Sequence, residues 1–274
     1  MTSSRKGSTR STTRSRLPTS SALRAFALVP DRYTRIGPDA SRYADERVCV
    51  LQGNTWAAIS GVRVAPGEVE ALLEEVRALV PADKAQTWWL DPDAQPPDLY
   101  ERLVALGLER PADRGDIVHA LACTTPPASG PEDVSVRIVE TFDEHLVATE
   151  LQWEVFATPP DRREAQKPHL RDEFEGCRSA GVPMTFLASL AGRPAGVGRS
   201  IYSDRGVFLI AGAVAEWARG RGVYRALVRA RWDDAVARGT PALVTEALPD
   251  TSYPILRGLG FEDVGTTRRL EDRR

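Results

Sequence analysis

Cysteine is scarce in this chain of 274 residues and occurs only as Cys49, Cys123 and Cys177, far apart from one another. Three is an odd number, and no two of them, with or without a histidine, have the short spacing of a zinc ligand set. The sequence therefore predicts neither a disulfide framework nor a metal site. A reducing compartment fits this cysteine usage best.

Long hydrophobic runs are missing as well. The longest, from Val207 to Ala215, has nine residues, whereas a membrane-spanning helix needs roughly 20. The N-terminal segment lacks the apolar block of a secretory signal. We therefore expect a cytoplasmic protein with no membrane partner.

A large excess of positive charge is absent too. Lysine and arginine total 36 against 38 acidic residues, for a net charge of −2. The first twenty residues hold five basic side chains and no acid, so residues 21–274 carry −7. An acidic body argues against a nucleic-acid partner. Segment 1–20 is rich in serine and threonine and is predicted to be a disordered basic tail, with a polyanion-binding arm or a transit peptide as open alternatives.

What is present is ordinary globular composition, with 42% hydrophobic and 27% charged residues. A stretch rich in proline and glycine lies at 124–133, and we place a linker at 126–133 between domains 21–125 and 134–274. Two short β-rich runs on either side of Gly53-Asn54 predict a hairpin from Arg47 to Ser60. Further strands are predicted near 87–90, 116–123, 134–138, 184–190, 195–203, 206–215 and 242–247. Periodicity predicts helices near 66–80, 97–106, 141–156, 161–179, 223–238 and 251–259. The fold class is therefore α+β.

The two halves share a pattern. The segment from Tyr100 to Glu109 aligns with that from Tyr253 to Glu262 at a constant offset of 153 residues. Each half also has, upstream, a strand, a loop containing glycine, a long helix and another strand. Agreement in order and spacing predicts a duplicated supersecondary unit.

The most informative motif follows the apolar run that ends at Ala215. A loop with the sequence Arg219-Gly220-Arg221-Gly222 leads directly into the helix predicted from Val223. The first amides of a helix lack internal partners and carry partial positive charge, so such a junction binds anions. Glycine permits close approach of a phosphate, and arginine adds charge-assisted hydrogen bonds. A solvated surface turn is the alternative, but the position between strand and helix favours a pyrophosphate site.

In that context residues 134–274 resemble the GNAT superfamily of N-acetyltransferases. The family motif, Arg/Gln-x-x-Gly-x-Gly/Ala, reads here Arg219-x-x-Gly222-x-Tyr224, with a bulky residue in the last position. The segment from Ser252 to Phe261 resembles the family's later helix and its Gly-Phe ending. The resemblance implies two tandem GNAT-like domains, each with a central mixed sheet flanked by helices. It also implies acetyl-CoA as co-substrate, no metal, and an amine acceptor.

The same resemblance assigns the cofactor contacts. The pantetheine arm would pair with the backbone at Val214 and Ala215. The pyrophosphate would lie on the amides of Arg219, Gly220, Arg221, Gly222, Val223, Tyr224 and Arg225. The first half looks like a degenerate copy, because Pro66 supplies no amide there and Glu68 and Glu70 would repel a phosphate. We therefore expect one coenzyme A site.

The catalytic candidates are less sharply defined. The family places a tyrosine acid where this chain has Leu256, so Tyr253, one turn earlier, is the expected substitute, with simple ring packing as the alternative. Glu216 is the candidate base and Glu246 a second one, although structural roles and a water chain remain open for both. No triad pattern surrounds any of the three histidines, which are His119, His145 and His169.

The acceptor pocket is expected beside Trp153, Phe156 and Tyr202, because the first helix and the third strand flank the cleft in this family. Core packing is the alternative for the two helix aromatics, Trp153 and Phe156. The predicted activity is transfer of an acetyl group from acetyl-CoA to the primary amine of a small molecule by direct attack on the thioester. A homodimer is left open. The rival hypothesis is a non-catalytic or regulatory CoA-binding module, which the departures from the family motif favour.

Overall fold

The computed structural model describes residues 20–38, 40–112, 115–182 and 184–274. Within these ranges the chain forms nine α-helices and eleven β-strands. The first half contains α1 (Ser20–Leu28), α2 (Pro30–Tyr33), β1 (Ser41–Ala44), β2 (Cys49–Gln52), β3 (Trp56–Ser60), α3 (Val69–Leu79), β4 (Ala85–Leu90), α4 (Leu99–Ala105) and β5 (Ile117–Cys123). The second half contains β6 (Val134–Ile138), α5 (Phe142–Val155), α6 (Pro160–Gln166), α7 (Leu170–Ala180), β7 (Met184–Leu190), β8 (Arg193–Ser203), β9 (Gly206–Val214), α8 (Val223–Ala237), β10 (Leu243–Ala247), α9 (Ser252–Gly258) and β11 (Glu262–Asp272).

Most predicted elements are present near their expected bounds. The helix predicted at 161–179 is instead two helices, α6 and α7, joined by a 3-10 turn at Lys167–His169. Pro168 has no amide to donate, so an uninterrupted helix cannot pass through it without losing a hydrogen bond. The predicted tail lies outside the described residues except for Ser20, which begins α1.

All eleven strands form one mixed sheet in the order β1-β2-β3-β4-β11-β5-β10-β9-β8-β7-β6. Near its centre the two halves exchange strands: β11 lies against β4 of the first half, and β5 lies against β10 of the second. Both pairings are antiparallel, and β5 and β11 also pair with each other. Each half therefore completes its sheet with the last strand of the other half.

The predicted repeat is visible in this sheet. The parallel pair β3–β4 of the first half corresponds to the parallel pair β9–β10 of the second. Helices α4 and α9 follow these pairs, and the corresponding leucines Leu103 and Leu256 are both completely buried. Both helices are followed by a glycine with a positive φ, Gly107 at +100° and Gly260 at +91°. The fold is thus a tandem arrangement of two related αβ units.

Helices cover both faces of the second half. On one face α8 and α9 pack in a cluster that includes Val207, Trp232 and Leu256. On the other face α5 packs with Val197 and Ala213, and α1 packs over β5 and β10. No helix among the described residues is long and apolar enough to cross a bilayer.

Candidate active site

Strands β9 and β10 run side by side only over their first residues. The last matched pair is Leu209 with Thr245. Beyond it a β-bulge interrupts β9, with Ala211 in the left-handed region at φ +52°. Among the described residues, the rest of β9 then pairs with β8 alone and the rest of β10 with β5 alone. The two strands therefore separate toward their carboxyl ends. Bulges of this kind are common beside binding sites.

Val214 has its backbone facing this opening. The amide of the next residue, Ala215, donates to the carbonyl oxygen of Ala195 at 2.9 Å. Because backbone groups alternate in direction along an antiparallel pair, the N–H and C=O of Val214 point away from β8, toward the gap beside β10. Of the two residues predicted to pair with a ligand, Val214 is available, whereas the amide of Ala215 is engaged within the sheet.

The loop after β9 is built on two left-handed glycines. A 3-10 turn at Glu216–Ala218 ends where the amide of Arg219 donates to the carbonyl oxygen of Glu216 at 3.2 Å. Gly220 and Gly222 follow, with φ of +73° and +75°. Gly222 is the N-cap of α8 and has no side chain to satisfy the amides that follow it. The loop therefore delivers an uncapped helix N-terminus to the edge where β9 and β10 separate.

Four successive amides at this terminus are unengaged. The first bond of α8 runs from the amide of Ala226 to the carbonyl oxygen of Gly222, at 3.0 Å. Among the described residues, no hydrogen bond is donated by the amides before it, those of Gly222, Val223, Tyr224 and Arg225. Such amides, together with the helix dipole, attract an anion. The exposed Arg219, Arg221 and Arg225 surround them; Arg221 has Asp133 at 3.8 Å.

Tyr224, the departure from the family motif, turns away from these amides. Its ring lies against Gly212 in the bulge, where a Cβ built on that glycine would be 2.8 Å from Tyr224 Cε2. Burial raises the pKa of Tyr224, and the positive charge of Arg231 opposes that rise. Arg231 itself is 1% exposed and lies across Gly198, leaving no room there for a Cβ. Two glycines thus make room for two large side chains.

The corresponding opening in the first half is closed. Gln95 donates its amide to the carbonyl oxygen of Val62 at 3.0 Å and accepts from the amide of Val64 at 3.3 Å. The backbone of Gln95 therefore pairs with the chain that follows β3. In the second half, the corresponding position beside the end of β9 is open. An ion pair of 2.7 Å between Arg63 and the buried carboxylate of Asp91 lies beside it.

The first-half loop also carries a carboxylate just before its helix. Glu68 accepts a hydrogen bond from the amide of Ala65 at 2.8 Å, so a carboxylate occupies the place where an anion would bind. Pro66 has no amide to offer. These contacts support the expectation of a single coenzyme A site.

Tyr253 lies at the start of α9, at the same edge of the sheet as the open amides of α8. Its ring lies tilted against that of His119 of β5, with centroids 4.1 Å apart and planes inclined by 36°. His119 Nδ1 is in turn 2.7 Å from Asp263 Oδ2 of β11. No local motif predicts this group, because 144 residues separate the histidine from the aspartate.

The two acidic candidates lie elsewhere. Glu216 is exposed in the turn before the loop. Glu246 lies on β10 next to Ala247, which shares the cluster of Leu256, so its side chain is on the opposite face, the one covered by α1. Burial, together with the nearby charge of Asp31, raises the pKa of Glu246 to about 8. Neither carboxylate is brought to Tyr253.

The three predicted acceptor residues are divided between two faces. Trp153 Nε1 donates to Gln166 of α6 at 2.7 Å, and Phe156 packs beside α5. Tyr202 points to the other face, where its hydroxyl donates to Asp234 of α8 at 2.6 Å. The structure therefore brings Trp153 and Phe156 to the α5 side of the sheet and holds Tyr202 beneath α8.

A small cavity of about 60 Å³ lies on the α5 side. Its walls include His145, Glu173, Phe174 and Arg199. Glu173 pairs with Arg199 at 3.0 Å, and burial with the nearby charge of Arg199 lowers the pKa of His145. His145 Nε2 is buried without a hydrogen-bond partner among the residues described. Sequence reasoning missed this polar group, which shows no local motif.

No family model and no curated protein matches this sequence. Solved structures do match its fold. A GCN5-related N-acetyltransferase from Kribbella flavida is 18% identical with a TM-score of 0.63, covering 94% of this chain and 97% of its own. A tandem GNAT protein from the clavulanic acid biosynthesis pathway is 15% identical with a TM-score of 0.58, covering 91% and 93%.

A GCN5-related N-acetyltransferase from Sphaerobacter thermophilus is also similar, at 17% identity and a TM-score of 0.53, with 94% of each chain covered. All three likenesses extend over nearly the whole chain, first half included. The chain therefore has the fold of a tandem GNAT protein.

Proposed function

We propose that this protein transfers an acetyl group from acetyl-CoA to the primary amine of a small molecule. One observation carries the proposal: four unengaged amides at the start of α8 lie where β9 and β10 separate. An N-terminus of this kind suits a pyrophosphate, and the adjoining gap offers backbone to an extended arm. The first half, closed by Gln95, offers neither.

The residues present fit coenzyme A. Gly222 leaves the backbone bare at the phosphates, the exposed arginines add charge at the rim, and the backbone of Val214 faces the gap as a partner for the pantetheine amides. Bound acetyl-CoA supplies an activated thioester. The Val214 amide is then the donor best placed to stabilise the developing oxyanion, since that of Ala215 is engaged. Tyr253 protonates the departing sulfur.

The acceptor approaches from the α5 side in this proposal. Trp153 and Phe156 lie there near the end of α5, while His145 and Glu173 line a cavity near its start. The acidic body, with −7 over residues 21–274, attracts a cationic amine at long range. Holding that amine against the thioester supplies much of the rate without a dedicated base.

Thiol release from acetyl-CoA in the presence of a panel of small primary amines tests this function. We expect amine-dependent release in the wild type, together with a rise in melting temperature on addition of CoA. A melting shift without thiol release from any amine would favour the CoA-binding module. Absence of both would contradict the pyrophosphate site itself.

A further inference from the structure

The first half of the chain supplies a side chain to the site of the second. Because β5 lies beside β10 with Ala247 opposite His119, the imidazole is at the carboxyl end of β10, two residues beyond the last β9–β10 pair. His119, Leu121 and Cys123 share a face of β5, and the latter two pack in the α8–α9 cluster. His119 therefore faces α9 rather than α1.

Two contacts fix the imidazole there. Asp263 Oδ2, at 2.7 Å, accepts from Nδ1–H and so selects the tautomer whose Nε2 carries the lone pair. On the other side the ring lies 4.1 Å from that of Tyr253, centroid to centroid. The His119 side chain remains 23% exposed, so it can exchange protons with solvent.

We propose that Asp263, His119 and Tyr253 act as one proton-donating unit, in which His119 is the positioning residue that orients Tyr253 and restores its proton. The inference rests on the proposed function. It makes the first half a required part of the catalytic site, although that half has no coenzyme A site of its own.

The step balances as follows. The amine nitrogen forms a bond to the thioester carbon, the carbon–sulfur bond breaks, and its electron pair goes to sulfur. Tyr253 gives its proton to sulfur, which leaves as the free thiol. The lone pair on Nε2 of His119 then takes a proton from solvent and passes it to the phenolate, which restores both the tyrosine and the neutral imidazole. The acylated nitrogen releases one proton to solvent. With a neutral amine as acceptor, the overall reaction therefore neither takes up nor releases a proton.

The relay is tested with His119→Asn, whose amide keeps a donor toward Asp263, and with Tyr253→Phe and the double variant. We expect each single change to lower kcat at least about tenfold without changing the CoA dissociation constant measured by calorimetry. The double variant should lose no more than Tyr253→Phe alone, because both residues serve one proton transfer. His169→Asn, in the exposed turn between α6 and α7, is the matched control and should leave kcat unchanged.

Multiplicative losses in the double variant, or an unchanged kcat in His119→Asn or Tyr253→Phe, would overturn the relay. A second readout needs no turnover: the ¹⁵N NMR pattern of the His119 ring should show the neutral form protonated at Nδ1, and this tautomer should be lost in Asp263→Asn. Protonation at Nε2 in the wild type would overturn the proposal. If the wild type releases no thiol with any amine, the proposed function fails. The spectrum still tests whether Asp263 holds His119 in the tautomer protonated at Nδ1.

Discussion

The ring of Tyr224 lies against Gly212, so a residue from the start of α8 fills the space that the β9 bulge leaves open. Truncating this ring should leave a cavity and expose the buried guanidinium of Arg231. We therefore expect Tyr224→Ala to lower the free energy of unfolding by about 2–4 kcal/mol, measured by urea denaturation. Tyr224→Phe, which keeps the ring, should cost about 1 kcal/mol or less.

CoA affinity is the second readout for the same pair of variants. Because the Tyr224 side chain turns away from the open amides, Tyr224→Phe should bind CoA as the wild type does. A large loss of affinity in Tyr224→Phe with unchanged stability would mean that the hydroxyl contacts the ligand, contrary to this placement.

Gly222 and Gly67 occupy corresponding loops and give a matched pair of substitutions. A Cβ on Gly222 would lie 2.6 Å from Pro131 Cγ, and its φ of +75° disfavours alanine, whereas a Cβ on Gly67 meets nothing within 4 Å. We expect Gly222→Ala to weaken CoA binding about tenfold or more, by shifting the amides of the α8 terminus. Gly67→Ala should leave CoA affinity unchanged.

Calorimetry on both variants measures the effect, and melting temperatures separate a local change from loss of fold. Equal weakening by Gly222→Ala and Gly67→Ala would show that the first-half loop also binds the ligand.

The stoichiometry of CoA binding should be one per chain. Gln95 closes the first-half opening and Glu68 occupies its helix terminus, so only the second half can accept a pyrophosphate. Isothermal calorimetry on the full chain gives this number directly. A value near two would mean that Gln95 is displaced when the ligand binds.

Glu246 makes stability depend on pH. Folding raises its pKa from 4.5 to about 8. Between these pH values the carboxyl group is therefore mostly protonated in the folded protein and mostly ionised in the unfolded chain. The stabilisation is therefore complete below about pH 4.5 and is lost as pH rises toward 8. Glu246→Gln, which mimics the protonated acid, should be more stable than the wild type at pH 8, by about 1–4 kcal/mol.

Scanning calorimetry at pH 5 and pH 8 provides the comparison. Exposed Glu150 on α5 is the control, since Glu150→Gln should follow the wild type at both pH values. If Glu246→Gln retains the wild-type pH dependence, another group is responsible, with Asp31 the first to examine because its pKa is raised to about 6 by burial.

Local signals in the sequence were sufficient for most regular elements of the fold, but not for α1, α2, β1 and β11. The capping box at Thr141 is formed, with its Oγ accepting from the amide of Glu144 at 3.3 Å, because both partners lie within one turn. The strand β11 carried no such signal: from Glu262 to Asp272 its residues are mostly charged or polar and do not alternate. It is a strand because β4 and β5 flank it, which is a tertiary effect.

Some parts of the candidate site could also be predicted from the sequence, and others could not. The open amides of Gly222 to Arg225 could be predicted, because a strand-to-helix junction has a known polarity. The prediction was wrong for Arg219 and Arg221, whose amides donate within the loop to the carbonyl oxygens of Glu216 and Ala218. The pair of His119 and Asp263 could not, because it depends on the exchange of strands between the halves. The direction of Tyr224 also needed the structure, since only the bulge shows that Gly212 leaves room for its ring.

The central claim is that the start of α8 binds the pyrophosphate of coenzyme A, and amide NMR of the full chain titrated with CoA tests it most directly. The largest shifts are predicted for Gly222, Val223, Tyr224 and Arg225, with little change at Gly67, Glu68 and Val69. Shifts confined to the first-half loop, or no shift at the four α8 amides under saturating CoA, would contradict the account.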